Sequence, residues 1–357
     1  MTRVAFYAPM KPPTHPVPSG DRAMGRAILQ ALEHGNMDAE LVSTLQTVDK
    51  QGCRDIQTRL LAQAEREATR LITLGQHSNW QVWITYHSYY KAPDLVGPVV
   101  AAALKLPYFQ IEATRARKRL TGPWAAFAQA AEAASDAADV IFHLTQRDAL
   151  ALRAYQAPHQ KIIHLPPFLP RVNLPPQSLC EGAMLSVGML RHGDKIASYE
   201  LIADTLKRLK TPDWRLVIAG DGPALNAVAS IMGPFGARVE MRGSLDAEAL
   251  EKEYSNASLL FWPGVNEAFG VTYLEAQAAG LPVVAQDRPG VIDVLAPGQY
   301  PRPEQGPEAL AQELDALLRH PDERAGRGRA ARDHIAAHHL ISGASTILCT
   351  AISEVLA

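Results

Sequence analysis

Cysteine is scarce in this chain: Cys53, Cys180 and Cys349 are its three thiols. They lie too far apart in sequence for metal-ligand spacing, and the pattern is that of free thiols in a reducing cytoplasm rather than a disulfide framework. No apolar run approaches the length of a membrane span. The opening MTRVAFYAPMKPP has too short an apolar run for a signal peptide and meets prolines at once, so a cytoplasmic protein is expected. An excess of either charge is also missing. The net charge of -2 at pH 7 offers no global attraction for nucleic acid or anionic lipid. No His/Cys/Asp cluster has recognisable ligand spacing, so neither a metal nor another cofactor is expected. G-x-G-x-x-G does not follow the first apolar run, which argues against a nicotinamide enzyme.

What is present describes a globular chain. At 47% hydrophobic and 20% charged over 357 residues, it can build two domains, each with its own core. Strand-like and helix-like segments alternate: RVAFYA, GDRAMGRAILQALEHG, AELVST, Ile56 to Leu74, QVWITYH, LVGPVVAAALK, PYFQIEA, WAAFAQAAEAASDAA, DVIFHLT and QRDALALRAYQ. A proline-rich connector, HLPPFLPRVNLPPQSL, then interrupts the pattern, which resumes through AMLSVGML, SYELIADTLKRLK, WRLVIAGDG, ALNAVASIMG, ARVEMRG and EALEKEYSN. Such alternation predicts α/β architecture with two doubly wound parallel sheets whose strand ends face a cleft. The expected divisions are 1–172, 173–340 and a C-terminal helix, 341–357, that packs back on the first domain. From Glu308 onward the chain reads as helical apart from a loop around HPDERAG.

The stretch NEAFGVTYLEAQAAGLPVV, Asn266 to Val284, carries the chemistry. Gly270 opens a helix from Val271 to Ala279, which Gly280 and Pro282 stop before a short strand at Val283 to Ala285. Glu267 therefore lies in the loop before the helix and Glu275 within it. The first turn offers unpaired N–H groups and the positive end of the helix dipole to an anion. A carboxylate on either side would repel the anion itself, so each glutamate suits a hydroxyl flanking it. A phosphate with hydroxyls on both sides is a nucleotide sugar. The preceding apolar run ASLLFWP places this loop at the carboxyl end of a strand, where open α/β sheets bind ligands.

SVGML with Lys195 after it, RLVIAGDGP, VEMRG, and the FG and AAGLPVVA blocks around the two glutamates occur in one order. In these the chain resembles the retaining, GT-B fold glycosyltransferases of family 4, the glycosyl transferases group 1. The likeness is close over Ser186 to Leu295 and holds only in outline before it. It implies transfer of a sugar from a nucleoside diphosphate sugar to an acceptor hydroxyl, without a metal, in polysaccharide or glycolipid synthesis. By the same resemblance Glu267 contacts hydroxyls of the donor sugar and Glu275 binds the ribose. The backbone of Phe269, Gly270, Val271 and Thr272 meets the diphosphate, and Lys195 neutralises it. Gly220 and Gly222 lie in a loop used for the base, and Ser19 with Gly20 in the loop after the first strand.

The chain departs from the family where Met189 replaces a customary arginine. Arg191, or His192, is the candidate substitute; loss of such a cation would cost about 3 kcal/mol of transition-state stabilisation. On the acceptor side stand Asp21, Arg22, His87 at a strand end, and Glu112 where many relatives carry histidine. TRARKRLTGPW concentrates Arg115, Arg117, Lys118 and Arg119. It reads as a solvated loop or as a contact for a phosphorylated or lipid-linked acceptor, or for an anionic membrane surface. A nucleotide-sugar epimerase and a catalytically silent nucleotide-sugar-binding protein remain open alternatives.

Overall fold

The computed structural model describes residues 1–17 and 19–357. They form two compact units, one of Met1–Pro166 with Ile341–Ala357, the other of Pro167–Leu340.

The first unit runs β1 (Arg3–Tyr7), α1 (Gly20–His34), β2 (Asp38–Ser43), α2 (Arg54–Gly75), β3 (Val82–Ser88), α3 (Gly97–Leu104), β4 (Tyr108–Ala113), α4 (Ala125–Ala137), β5 (Val140–His143), α5 (Gln146–Ala154) and β6 (Lys161–His164). Its six strands are parallel in the order β2-β1-β3-β4-β5-β6. Val4, Ala5, Phe6 and Tyr7 in β1 are fully buried, as a strand covered on both faces requires. Trp83, Tyr7, Leu71, Val100 and Ile141 fill one side of the sheet.

The second unit runs β7 (Met184–Val187), α6 (Asp194–Leu206), β8 (Leu216–Ala219), α7 (Leu225–Met232), β9 (Val239–Gly243), α8 (Ala247–Asn256), β10 (Leu259–Phe261), α9 (Val271–Ala278), β11 (Val283–Val284), α10 (Gly306–Arg319) and α11 (Pro321–His338). Its parallel sheet has the order β11-β10-β7-β8-β9. α12 (Ile341–Leu356) then returns to the first unit and packs on α1.

Three local readings need correction. β6 occupies KIIH, just where the connector was expected to begin; its half-buried residues pair with β5, and no strong apolar alternation announces it. α6 begins at Asp194, ahead of the expected start at Ser198, so Lys195 stands in its first turn. HPDERAG is helical too: α10 ends at Arg319, and Pro321 starts α11 at a position where its missing N–H is no loss.

Strand order reverses between β1 and β3 in the first sheet and between β7 and β10 in the second. The segment leaving β1 carries Asp21 and the end of β3 carries His87 in one unit; the segments leaving β7 and β10 carry Lys195 and Glu267 in the other. Ligands of doubly wound sheets bind at such reversals. Among the described residues no helix is long and apolar enough to cross a membrane.

Candidate functional site

In the second unit, the loop from β10 to α9 is held by the start of α6. Val265 N donates to Ser198 Oγ at 3.2 Å and Asn266 Nδ2 to Asp194 Oδ2 at 2.9 Å. Asn266 takes a left-handed backbone, φ 53°, which asparagine tolerates better than most residues. This turn aims Glu267 at Lys195, whose Nζ donates to Glu267 Oε1. Trp262 Nε1 donates to the same oxygen at 3.0 Å, and Lys195 Nζ lies 5.1 Å from the Trp262 ring centre. One carboxylate oxygen is thus fixed by two donors, one charged, in a site where the side chains keep 24% and 15% exposure. The carboxylate is oriented, and its charge is balanced before any ligand arrives.

Gly270 caps α9 without a side-chain hydrogen bond, so the first-turn N–H groups of that helix have no side-chain acceptor from the cap. At φ 78°, a Cβ on Gly270 would lie 2.8 Å from the Tyr273 ring; only glycine fits the turn. Phe269 is buried, and Thr272 Oγ1 reaches Val187 O at 3.4 Å, setting α9 against the end of β7. Within α9, Glu275 accepts from Tyr254 Oη of α8 at 2.8 Å. Burial pushes the Glu275 carboxyl up, against the opposing Tyr254 bond and the Arg171 charge.

Gly220 and Gly222 both have φ 153°, and a Cβ on either would overlap the carbonyl of Gly188 or Leu190. Their visible role is to let the loop after β8 lie against the one after β7. Met189 is half-buried, whereas Arg191 and His192 are exposed. Arg191 is in no ion pair among the described residues.

The first unit brings together Asp21, His87 and Glu112. Asp21 enters from the first turn of α1, which Ser19 caps by accepting from Arg22 N at 3.3 Å. His87 Nδ1 is 2.9 Å from Asp21 Oδ1 and 3.9 Å from Glu112 Oε2. Burial opposes the imidazolium, but the Glu112 charge and the Asp21 hydrogen bond outweigh it and lift His87 to about 9. Asp21 is lowered despite burial, through its His87 bond. Glu112 is raised by burial, with His87 opposing, and its Oε2 is buried without a hydrogen-bond partner.

Arg22 is spent elsewhere: its Nη1 donates to His15 O at 2.8 Å and Pro16 O at 3.1 Å, tying down the proline-rich loop. Gly20 starts α1, and a Cβ there would meet nothing within 4 Å.

The basic run does not act as one patch, which corrects its reading as a four-residue membrane contact. The Arg115 side chain is 2% exposed and pairs with Glu132 at 2.8 Å and Asp136 at 2.7 Å. Arg117 covers the Tyr155 ring at 4.5 Å and Arg119 the Tyr90 ring at 5.2 Å. Arg117 and Lys118 alone of the four are exposed. The sequence reading also missed Trp262 and Tyr254, the partners of the two glutamates. Trp262 stood in plain view in ASLLFWP, but nothing in the sequence linked its indole N–H to Glu267.

Among the described residues no three His, Cys, Asp or Glu side chains are grouped to hold a metal ion.

Residues 183–334 match the family model of glycosyl transferases group 1. An uncharacterized glycosyltransferase of Methanocaldococcus jannaschii is 32% identical over 143 residues, 39% of this chain and 36% of that one. The chain thus spans about a third of that relative's length. Sucrose-phosphate synthase from Thermosynechococcus elongatus superposes with a TM-score of 0.75 at 15% identity, over 99% of each chain. The Anabaena HepE structure in complex with UDP-glucose gives a TM-score of 0.71 at 12% identity, over 99% of this chain and 100% of that one. The fold is that of GT-B glycosyltransferases: two Rossmann-like parallel-sheet units.

Proposed function

We propose that this chain transfers a sugar from a nucleoside diphosphate sugar to an acceptor hydroxyl, with retention of anomeric configuration. The observation that carries the reading is the pair of glutamates on either side of the α9 N-terminus, each already held by a partner, Glu267 by Lys195 and Trp262, Glu275 by Tyr254. The family match over this unit and the UDP-glucose bound by the Anabaena neighbour support it. In this reading Glu267 accepts hydroxyls of the donor sugar and Glu275 those of the ribose. The N–H groups of the first α9 turn, around Gly270, Val271 and Thr272, take the diphosphate. Lys195 and the helix dipole stabilise the negative charge that develops as the diphosphate leaves, so no metal ion is needed. A departing phosphate oxygen takes the acceptor proton, and the transition state is oxocarbenium-like. Asp21, His87 and Glu112 form the acceptor side, and the reaction takes place in the cytoplasm on a hexose-type donor.

A thermal-shift screen against UDP, GDP, ADP and their sugars, followed by donor turnover with and without EDTA, tests this. One nucleoside diphosphate is expected to raise the melting temperature, and EDTA to leave turnover unchanged. No shift with any of them would sink the reading. A second reading, a silent nucleotide-sugar-binding protein, is favoured by one observation: Met189 fills the family's arginine position while Arg191 is exposed. Nucleotide binding without transfer or donor hydrolysis would select it.

A further inference from the structure

Beyond His87, the same end of the first sheet carries a group of residues that the transfer chemistry leaves unused. Tyr89 and Ala92 close a tight turn, with Ala92 N donating to Tyr89 O at 2.9 Å and Tyr89 N to Ala92 O at 3.3 Å. Tyr90 and Lys91 stand at its tip. The Tyr90 ring meets Trp124 edge-on, 5.7 Å between centres at 89°. Lys91 Nζ lies 5.7 Å from the Tyr90 ring centre and 5.5 Å from that of Trp124. The Arg119 guanidinium lies 5.2 Å and 5.4 Å from the same two centres. Two cations therefore crowd one pair of rings.

Among the described residues neither cation pairs with a carboxylate. Arg119 Nε is buried and has no hydrogen-bond partner. Asp49, which braces the group from behind, is already consumed. Its carboxylate accepts from Gln51 N at 2.9 Å, Gly52 N at 3.0 Å, Cys53 N at 2.9 Å and Gln57 Nε2 at 2.8 Å. Its backbone ties the two sides together: Asp49 N donates to Lys91 O at 2.8 Å, and Trp124 Nε1 donates to Asp49 O at 3.3 Å. Gly52, at φ 74°, lets this turn press on Pro123, where a Cβ would come within 2.7 Å. These bonds fix the Lys91 backbone and the Trp124 ring before any ligand arrives.

Ring faces attract cations without cancelling their charge, so the two rings leave both positive charges uncompensated. An anion with several charged oxygens answers both charges, and a guanidinium fork fits phosphate geometry. We propose that Lys91 and Arg119, mounted on Tyr90 and Trp124, bind a phosphoryl group. A line of ring contacts joins this site to the acceptor side, His87 to Tyr89 at 5.3 Å and Tyr89 to Tyr90 at 5.5 Å. The phosphoryl group therefore belongs to the acceptor, a phosphorylated molecule whose hydroxyl reaches His87. That last assignment rests on the transferase reading; the phosphoryl site itself does not.

Isothermal titration of the full chain with glycerol 1-phosphate tests the site. Wild type is expected to bind, and K91M and R119M each to weaken binding about tenfold or more. R119K is expected to recover only part of the loss, because it keeps the charge and loses the fork. The affinity for nucleoside diphosphate stays the same in all these variants, and thermal melting checks that they fold. Flotation with vesicles of phosphatidylcholine, with and without phosphatidic acid, separates the sources. Recovery that depends on phosphatidic acid and is lost in K91M/R119M assigns a lipid-borne phosphate; binding of glycerol 1-phosphate alone assigns a soluble one. Equal affinity for glycerol 1-phosphate in wild type and folded K91M/R119M, or no binding by wild type in either arm, would overturn the proposal. Failure of nucleotide binding in wild type would count against the transferase reading and leave this site standing.

Discussion

His87 and Glu112 face each other from neighbouring strands, β3 and β4, with both backbones in the left-handed region at φ 58° and 59° and their side chains 3.9 Å apart. Left-handed geometry in residues with a Cβ costs roughly 1–3 kcal/mol each and persists only where the surroundings impose it. Flanking residues keep strict register, Tyr86 with Ile111 and Ser88 with Ala113. The two kinks sit opposite one another, and His87 lies between Glu112 and Asp21.

This cluster has a pH signature. The folded value of His87, about 9, lies above its ordinary 6.5, so its contribution to stability is complete below about 6.5 and is lost as pH rises through about 9. The size is of the order of 3 kcal/mol. The stability difference between wild type and H87Q, from urea unfolding, is expected to be greatest near about pH 6, where the carboxylates are ionised and His87 is protonated, and to shrink between about pH 7 and pH 9, on the same scale. A difference that grows with pH would contradict the imidazolium.

The two glutamates separate by kinetics. E267Q is expected to lower kcat by about a hundredfold or more while nucleotide affinity changes little. E275A leaves the Tyr254 hydroxyl without its acceptor and should weaken nucleotide binding by about tenfold. Steady-state rates with calorimetric nucleotide titration decide, and the reverse ordering would exchange the assigned roles.

Trp262 works through Glu267. W262F removes the N–H held at 3.0 Å, which should cost about 1–2 kcal/mol of transition-state stabilisation; because the indole is buried, the smaller ring also lowers stability, which denaturant unfolding reads separately. In the E267Q background the same change should cost much less, a coupling that a double-mutant cycle on kcat/KM reads directly.

G270A tests the turn itself. With φ 78° and a Tyr273 ring atom 2.8 Å from the added carbon, destabilisation of about 2 kcal/mol is expected by denaturant unfolding, together with loss of nucleotide binding.

Arg115 separates folding from surface chemistry. R115A strands Glu132, which also accepts from Ala116 N at 3.1 Å, and should destabilise by about 2–3 kcal/mol. Recovery on anionic vesicles should be unchanged, because the guanidinium is enclosed. A selective loss of vesicle recovery in a folded R115A would restore the surface reading of this residue.

Periodicity and punctuation made much of the architecture readable. Buried parallel strands are continuous apolar runs, as in RVAFYA, and helices announce their ends, as Gly270 and Gly280 do around α9. β6 escaped because half-buried residues at a sheet edge carry no such signature. The start of α6 was read late because Gly193, at φ 86°, precedes it without any capping side chain to mark it.

What the linear order of residues determined by itself was the alternation of elements, the anion-ready helix start at Gly270, and the position of the two glutamates around it. These depend on neighbours a few residues apart. Tertiary structure alone decided which partners complete the sites: Lys195 for Glu267 across 72 residues, Asp21 for His87 across 66, and Arg119 and Lys91 over the same two rings, with no carboxylate paired to either among the described residues. Such pairings depend on where crossover connections return the chain in space, and side-chain spacing along the sequence carries no record of that distance.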